Sequence, residues 1–485
     1  MSFKVSKRNV QDIFELNLTQ KGMLFHYLKD VDSNVYNIQL VLEIEGLLNV
    51  DLFEKSIFEV VRNNEVLRSV FTWENINRPL QIILKNVSVK LKVQDLSNEG
   101  QLNTFLELYF EKDREKRFDL TNKAIRFGMV RLSSDRCLFH ITHHHILYDG
   151  WSTGILLKEL FTIYEALIHN NERIILPKTS YKEVRKSLKS ITTYDNGKKY
   201  WSDYLKNYSI THLSIQKSND YSGYNLRKVA LSFDADLETF SSTHKVTKAS
   251  IFYAAYAILL QKYLYTSDII FGTTVSCRET KKNNSDAVMG NFISTIPLRV
   301  SENEDRTLKE IVVSVHQDLI ERLSFSNTSY FEIKQVMGLT HSDNLFDSVI
   351  AIENYPLDNN IFNLNDDYKV KFKSVYENAA VPLYITVFFD KSLRIEFVYD
   401  TKKFPNGVID RLSKHLQLII EEILDNPFKK PKDINILSND DLKDLHAYND
   451  TAVAYPLDRT VIDLFEDQVE KAPDSVAVFN GGESV

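Results

Sequence analysis

Cysteine is scarce in this sequence of 485 residues. Cys137 and Cys277 are the two cysteines present, and they lie far apart and outside any C-x-x-C pair. A disulfide framework and a cysteine-based zinc site both need several cysteines at short spacings, so neither is predicted. Such sparse use of cysteine fits a reducing compartment, and we expect the protein in the cytoplasm.

Long apolar segments and a strong charge of either sign are also missing. The most apolar stretch, residues 249–261, is shorter than the roughly 20 residues that span a bilayer, and residues 1–8 contain no apolar signal core. The formal net charge of -7 is small for this length, and acidic and basic residues are interspersed. We therefore expect no membrane segment and no surface that binds nucleic acid.

Composition and apolar patterns predict a folded protein of mixed structure. Hydrophobic residues make up 43% and charged residues 26% of the chain, the balance of an ordinary globular protein. Apolar and polar side chains alternate in residues 36–44, which predicts a strand, and apolar side chains recur at helical spacing in residues 52–61. Strand and helix patterns return in residues 229–272. We therefore predict an α+β fold of two lobes, with a crossing segment at residues 177–197.

The composition changes near the end of the chain. Prolines and short polar clusters follow one another between residues 427 and 451, as is typical of a linker. Thr460 can then cap a helix over residues 461–469, and residues 475–479 begin a strand. We interpret residues 436–459 as a linker and residues 460–485 as the truncated start of a further domain.

Four of the 12 histidines lie within six consecutive positions, namely His140, His143, His144 and His145. Residues 137–145 have the pattern of a strand, which would place His143 and His145 on one side and the other two histidines on the opposite side. Imidazole titrates near neutral pH and is therefore suited to accept or position the proton of an attacking amine or hydroxyl. This cluster indicates acyl transfer.

Three other interpretations of the cluster stay open at this level. The histidines could be structural strand residues that hydrogen bonds satisfy. His143 and His145 could ligate zinc, although the sequence has neither H-E-x-x-H nor a cysteine ligand set. Residues 150–154 match the G-x-S-x-G elbow of α/β-hydrolases around Ser152. Against the elbow, a turn separates it from the strand, and the chain lacks the repeated βα units of such a sheet.

The loop that contains His145 resembles the active-site motif of a known family. Residues 144–150 read HHILYDG, which is similar to the HHxxxDG motif of nonribosomal peptide synthetase condensation domains. Other segments resemble further parts of this family in the same order along the chain, namely residues 18–26, 64–71, 181–184, 271–278, 289–299 and 345–356. So many ordered matches make coincidence untenable.

Some positions depart from the family's pattern or separate its branches. Asn63 and Asn64 stand where the second motif commonly has Arg-His, and residues 326–332 only partly follow the sixth. Heterocyclising members carry D-x-x-x-x-D in place of the paired histidines. Epimerising members usually continue as D-G-x-S-W, whereas here Trp151 precedes Ser152. The resemblance is therefore to members that condense.

The resemblance implies a fold and an activity. The fold would consist of two chloramphenicol-acetyltransferase-like lobes in a V-shaped arrangement, residues 16–176 and residues 177–435, with the active site between them. An upstream carrier protein would present a peptidyl or acyl thioester on phosphopantetheine. The amine of a downstream carrier-bound aminoacyl thioester would attack it. The domain itself would bind no cofactor and no metal ion.

The same resemblance assigns roles to five residues. His145 would be catalytic and would accept or orient the proton of the attacking amine. Asp149 would pair with Arg68 to hold the loop, and His144 would have a supporting role. Gly150 would place a backbone N–H near the developing oxyanion.

Both ends of the chain resemble segments that connect to partners. Residues 1–15 look like an acceptor segment for docking to a preceding synthetase, so the donor carrier protein is expected on a separate polypeptide. Residues 460–485 resemble the opening of an adenylation domain, the expected neighbour together with its carrier protein. Residues 20–26 and 353–356 look most like domains whose donor ends in a D-residue. The alternatives are an L-residue or acyl donor, and a non-catalytic domain that docks or gates carrier proteins.

Overall fold

The computed structural model describes residues 6–29, 34–97, 102–170, 179–189, 194–213, 224–231, 236–278, 285–301, 305–340, 343–353, 368–377, 381–389, 393–405, 407–454, 456–480 and 483–484. The chain divides into two compact units, Met1–Ile434 and Asn435–Val485. The predicted crossing segment at residues 177–197 falls partly outside the described residues, and the lobe and linker bounds remain predictions.

Strands and helices are mixed along the first half of unit 1. The strands are β1 (Val10–Glu15), β2 (Asn37–Gly46), β3 (Ser69–Thr72), β4 (Leu80–Leu84), β5 (Leu91–Asp95), β6 (Ile125–Arg131) and β7 (Arg136–His144). The helices are α1 (Leu18–Lys29), α2 (Val50–Asn63), α3 (Leu102–Glu115), α4 (Gly150–Ile168), α5 (Tyr181–Lys189) and α6 (Tyr194–Tyr204). The predicted alternation of strand and helix holds from β1 to α2 but not beyond, because β3, β4 and β5 follow one another.

The second half of unit 1 and the whole of unit 2 continue this mixture. In unit 1 the strands are β8 (Tyr224–Leu231), β9 (Asp268–Ser276), β10 (Ile293–Ser301), β11 (Ser348–Glu353), β12 (Tyr368–Glu377), β13 (Leu383–Phe389) and β14 (Leu393–Asp400). The helices there are α7 (Leu237–His244), α8 (Lys248–Leu264), α9 (Leu308–Leu323), α10 (Tyr330–Val336) and α11 (Val408–Asp425). Unit 2 contains α12 (Asn439–Asn449), α13 (Val461–Lys471) and the short strands β15 (Phe479–Asn480) and β16 (Glu483–Ser484).

The described strands of unit 1 form three sheets. One has the strand order β12-β2-β7-β6-β5, a smaller one has the order β1-β4-β3, and the third has the order β10-β9-β11-β13-β14-β8. β12 departs from the division into sequence halves, because it follows β11 in the chain but pairs antiparallel with β2. The second half of the sequence therefore supplies an edge strand to the sheet of the first half.

β7, the strand that carries the histidines, is covered on both faces. On one face Phe53 of α2 packs against Phe139, with ring centroids 4.9 Å apart. On the other face Leu106 of α3 belongs to the same apolar cluster as Leu138. Since both faces are covered, a polar side chain on this strand is buried whichever way it points and needs a hydrogen-bond partner.

The apolar stretch of the sequence forms α8, the central helix of the second half. All residues from Ser250 to Gln261 are buried, and the helix packs against α9, α11 and β9. Its first turn is capped by Thr247, whose hydroxyl accepts the backbone N–H of Ser250. Across the described ranges, no helix combines the length and the apolar character needed to cross a membrane.

Candidate active site

The loop after β7 is held by backbone hydrogen bonds at both ends. The N–H of His145 donates to the carbonyl of Tyr36 at 2.8 Å, and the N–H of Asp149 donates to the carbonyl of Gly290 at 3.1 Å. α4 then begins at Gly150, with Asp149 as its cap: the carboxylate accepts the N–H of Ser152 at 3.0 Å. The motif of residues 144–150 is thus a strand end, a tight turn and a helix start.

His145 lies one residue beyond β7, at the start of this turn. Its Nδ1 is 2.8 Å from the carbonyl oxygen of Tyr148. A carbonyl can only accept, so Nδ1 carries the proton, and in the neutral ring Nε2 is left as an acceptor. Nε2 lies 3.9 Å from Oε1 of Glu377, and the His145 side chain is 8% exposed. The backbone therefore fixes the tautomer needed to accept a proton.

His143 and His140 are buried in the sheet and have tyrosine partners. The His143 ring stacks on the ring of Tyr148, with centroids 4.0 Å apart, and its Nδ1 is 3.0 Å from the Tyr148 hydroxyl. Nε2 of His140 is 3.1 Å from the Tyr109 hydroxyl on α3. Burial holds the pKa of His143 well below its usual range and lowers the pKa of His140 to about 4. Both rings are therefore neutral at pH 7, which is the state expected of histidines with a structural role.

Gly128 makes room for the His140 ring, and this close approach gives a stability prediction. A Cβ at position 128 would lie 2.0 Å from Nε2 of His140. We expect Gly128→Ala to push the ring away from Tyr109 and to lower the free energy of unfolding by about 1–3 kcal/mol, as overpacking does. Urea denaturation would measure it. The control is Gly22→Ala in α1, where an added Cβ meets nothing within 4 Å. A Gly128→Ala protein as stable as wild type would contradict the prediction.

His144 is enclosed by aromatic rings. Its Nδ1 accepts the N–H of Ile146 at 3.1 Å, and the rings of Tyr27 and Tyr36 have their centroids 5.9 and 6.2 Å from its own. Burial lowers the pKa of His144 to about 3, with His145 as a further cause. Of the two adjacent histidines, His144 is thus a buried neutral residue that accepts a hydrogen bond within the turn, and its supporting role stays a prediction.

Asp149 forms a buried ion pair with Arg278, which lies two residues after the end of β9. Its Oδ1 is 3.0 Å from Nη2 of Arg278, and the two side chains are 0% and 2% exposed. Oδ2 also accepts the N–H of Phe292 at 3.0 Å. Arg278 in turn donates to the carbonyls of Ser285 and Val288, each at 2.7 Å. A buried charge pair needs such additional hydrogen bonds to offset its desolvation, and the pair thereby joins the loop to residues 278–292.

The predicted pairing of Asp149 with Arg68 is wrong. Arg68 ends a short 3₁₀ turn, Glu65–Arg68, just before β3. Its guanidinium donates to Gln11 at 2.7 Å and to the carbonyl of Leu84 at the end of β4. The guanidinium of Arg68 is therefore hydrogen-bonded within the small β1-β4-β3 sheet, and these bonds connect the 3₁₀ turn to that sheet.

Ser152 is fully buried and has no place in a nucleophile elbow. Its hydroxyl oxygen is 2.7 Å from Oδ1 of Asp149 and accepts the N–H of Gly290 at 3.0 Å. Nη2 of Arg278 donates to the same oxygen at 3.0 Å. An elbow serine instead exposes its hydroxyl above the sheet, beside a histidine base. The match to G-x-S-x-G is thus a coincidence of sequence, and Ser152 binds the loop to Gly290.

Zinc ligation by the histidine pair has no support in the geometry. Nδ1 of His143 faces the Tyr148 hydroxyl, and Nδ1 of His145 faces the Tyr148 carbonyl. Within the part of the chain that the structure describes, no three His, Cys, Asp or Glu residues are grouped so that they could hold a metal ion.

Comparison with known proteins identifies the family. The sequence model described as the condensation domain matches residues 10–446. The chain belongs to the condensation-domain family. Bacitracin synthase 3 and bacitracin synthase 1 of Bacillus licheniformis are 30% and 31% identical to it over 98% and 99% of this chain. Surfactin synthase subunit 2 of Bacillus subtilis (strain 168) is 28% identical over 99%. The chain spans 8%, 9% and 14% of the length of these three relatives, respectively.

Solved structures with the same fold include other condensation domains. A structure of holo-AB3403, a four-domain nonribosomal peptide synthetase bound to AMP and glycine, matches with a TM-score of 0.81 at 17% identity, over 98% of this chain and 38% of that one. The first condensation domain of the calcium-dependent antibiotic synthetase, in complex with a substrate analogue, matches with a TM-score of 0.73 at 16% identity, over 89% of this chain and 100% of that one. The predicted α+β fold and the predicted family are confirmed.

In this condensation domain, residues from distant parts of the sequence hold the histidine loop. The Asn291 side chain donates to the carbonyl of His145 at 2.8 Å, and Gln20 of α1 donates to the carbonyl of Ile146 at 3.0 Å. Asn17, just before α1, donates to the carbonyl of Asn291 at 2.7 Å. The start of the chain and the turn before β10 thus fix the backbone on which His145 stands.

Sequence reasoning missed three residues of this condensation domain's site. Arg278 and Asn291 lie inside segments that resemble family motifs, so the motifs pointed to the right neighbourhood without giving the contacts. Glu377 lies at the end of β12 and outside every such segment. Its position beside His145 follows from the pairing of β12 with β2, in which Glu377 lies opposite Ile38.

Proposed function

We propose that this domain joins a peptidyl or acyl group, carried as a thioester on an upstream carrier protein, to the amine of an aminoacyl thioester on a downstream carrier protein. Both substrates would be presented on phosphopantetheine. The observation that carries the proposal is the hydrogen bond from Nδ1 of His145 to the Tyr148 carbonyl at 2.8 Å. That bond orients Nε2 as a proton acceptor in the loop after β7.

The proposed reaction needs one proton acceptor and no redox partner. The amine nitrogen attacks the thioester carbon, so that a C–N bond forms and negative charge develops on the carbonyl oxygen. Nε2 of His145 takes the proton that the nitrogen loses. The carbonyl re-forms, the C–S bond breaks, and the proton passes to the departing sulfur. The products are an amide on the downstream carrier protein and a free phosphopantetheine thiol on the upstream one.

Gly150 is proposed to help with the developing oxyanion. It is the first residue of α4, and the first amide groups of a helix lack acceptors within the helix. These N–H groups form the positive end of the helix dipole, which favours an anion nearby. Asp149 and Arg278 are proposed to act as scaffold, because both side chains are buried and form hydrogen bonds with each other and with neighbouring backbone.

The finer identity of the substrates and partners stays a proposal. We propose a donor that ends in a D-residue, because residues 20–26 and residues 353–356 resemble the motifs of domains with such donors. Of the second motif, Glu353 is described, and residues 354–356 lie outside the described residues. The upstream carrier protein is proposed on a separate polypeptide, docked through residues 1–15, of which residues 1–5 are likewise outside the description. A cytoplasmic location remains a prediction from the low cysteine content.

An adjacent adenylation domain is proposed at the end of the chain. α13 of unit 2 exposes apolar side chains that a complete domain would bury, among them Val461 at 80%, Ile462 at 63% and Phe465 at 60% exposure. These residues support the interpretation of residues 460–485 as the opening of such a domain.

A reconstituted condensation would test the function. We expect the 485-residue chain, mixed with an upstream carrier protein loaded with a dipeptidyl thioester and a downstream one loaded with an aminoacyl thioester, to yield the condensed thioester on the downstream carrier. Mass spectrometry of the intact carriers would detect it. Donors that end in D- and L-residues are compared at equal loading, and the D-donor should react faster. Verified loading of both carriers without any product, over a panel of aminoacyl groups, would instead indicate a non-catalytic docking or gating domain.

A further inference from the structure

A carboxylate from the second half of the chain faces the proposed proton acceptor. Glu377 is the last residue of β12, the strand that crosses to pair with β2. Its Oε1 lies 3.9 Å from Nε2 of His145, and its side chain is 26% exposed. β12 and the histidine loop therefore bring together two acceptor atoms that lie 232 positions apart in sequence.

The distance between these two atoms suits a shared ligand better than a direct contact. A hydrogen bond between them would need about 2.7 to 3.2 Å. Two hydrogen bonds with nitrogen-to-acceptor distances of about 2.9 Å, donated by one tetrahedral nitrogen, place their acceptor atoms about 4 to 5 Å apart. A primary amine located between His145 and Glu377 could therefore donate one hydrogen to each. Its lone pair would be left free to point elsewhere.

Besides His145, acidic and phenolic groups lie in the surroundings that Glu377 shares with Tyr384. Burial raises the pKa of Glu377, and the nearby His145 opposes that rise. Tyr384 of β13 has a pKa raised well above its usual value by burial and by several negative or phenolic neighbours, namely Glu377, Glu353, Tyr253 and Tyr36. This cluster raises the cost of adding negative charge, and it favours a group that donates hydrogens or carries a positive charge.

We propose that Glu377 and His145 together bind the acceptor amine through its two N–H groups, so that the nitrogen lone pair faces the donor thioester. This inference rests on the proposed function and assigns to the same site a preference for primary over N-methylated amines. A primary amine has an N–H for each acceptor, whereas a neutral secondary amine has one N–H and must give up one of the two bonds. Holding a nucleophile in its reactive orientation lowers the barrier without any added chemistry.

The test compares one acceptor amino acid with its N-methyl counterpart. Both are loaded on the downstream carrier protein, using the amino acid that the wild-type domain condenses fastest. We expect Glu377→Ala to lower the rate with the primary amine about 10- to 100-fold, the loss for one hydrogen bond to a charged acceptor. The rate with the N-methyl acceptor should change far less, so the preference for the primary amine largely disappears. Glu377→Gln keeps an acceptor oxygen and should keep most of that preference.

The matched control is Glu45→Ala. Glu45 is a partly exposed carboxylate on the neighbouring strand β2, 2.7 Å from Lys371, and its loss should leave both rates unchanged. If Glu377→Ala lowered the rates with both acceptors equally, Glu377 would be structural and the inference overturned. A wild-type rate in Glu377→Ala would overturn it as well, while the proposed function would stand. If the wild-type domain were inactive, both this inference and the proposed function would be refuted. Thermal unfolding of each variant identifies losses that come from misfolding.

Discussion

Replacing His145 by alanine is expected to lower the rate of condensation by about 10²- to 10⁴-fold, the usual contribution of a positioned acid–base group. The ring supplies Nε2, the acceptor that the Tyr148 carbonyl orients through Nδ1 at 2.8 Å. Alanine leaves the amine proton without that acceptor. The backbone of the turn keeps its contacts, because the His145 N–H donates to Tyr36 and its carbonyl accepts from Asn291. The protein should therefore stay folded.

Initial rates with two loaded carrier proteins measure the loss, and thermal unfolding measures the fold. His169→Ala is the matched control, since His169 lies at the end of α4 with a side chain 67% exposed. It should condense at the wild-type rate. A fully active His145→Ala protein would rule out proton acceptance by this ring and would leave the loop with a structural role. An unfolded variant would instead show that the ring stabilises the turn. The rate would then be measured on His145→Gln, which retains polar atoms at the same site.

The pattern of apolar residues predicts local elements because the side chains of a strand or a helix change direction with a fixed period, but it does not show that both faces of β2 are buried. Alternation in residues 36–44 corresponds to β2, and helical spacing in residues 52–61 corresponds to α2. β12 shows the limit of this reasoning. Its own residues carry an alternation, but the pairing with β2 depends on a contact between strands more than 300 positions apart in sequence. Periodicity reports which residues share a face and does not report which strand lies beside it.

The residues of the site likewise fall into two groups, those that the sequence motif reveals and those that only the fold brings together. The loop of residues 144–150 is contiguous, so its motif could be recognised in the sequence, and the chemistry of its histidine follows from residue type. The partner of Asp149 could not be found like this, because Arg68 and Arg278 are equally capable of pairing with a carboxylate. Only their places in the fold separate them. Glu377 belongs to no recognised motif, and the strand crossing alone brings it to His145.

The pairing of Asp149 with Arg278 rather than with Arg68 predicts a large loss of stability when the ion pair is broken. Asp149→Asn is expected to lower the free energy of unfolding by about 3–5 kcal/mol, because it leaves the charge of Arg278 buried without its counterion. Asparagine caps a helix about as well as aspartate, so the start of α4 should survive and the loss should report the ion pair. Denaturant unfolding, followed by circular dichroism, would measure the loss.

A double-mutant cycle then tests which arginine is the partner. The losses from Asp149→Asn and Arg278→Met should not add, since each removes the same interaction; the coupling expected for residues in contact is about 0.5–3 kcal/mol. Arg68→Met is the matched control. Its guanidinium is bound to Gln11 and to the end of β4, so its effect should add to that of Asp149→Asn within about 0.5 kcal/mol. Coupling to Arg68 with additivity at Arg278 would reverse the assignment. Because the buried pair joins the loop to residues 278–292, the same cycle measured on condensation rates would show how far the position of His145 depends on that joint.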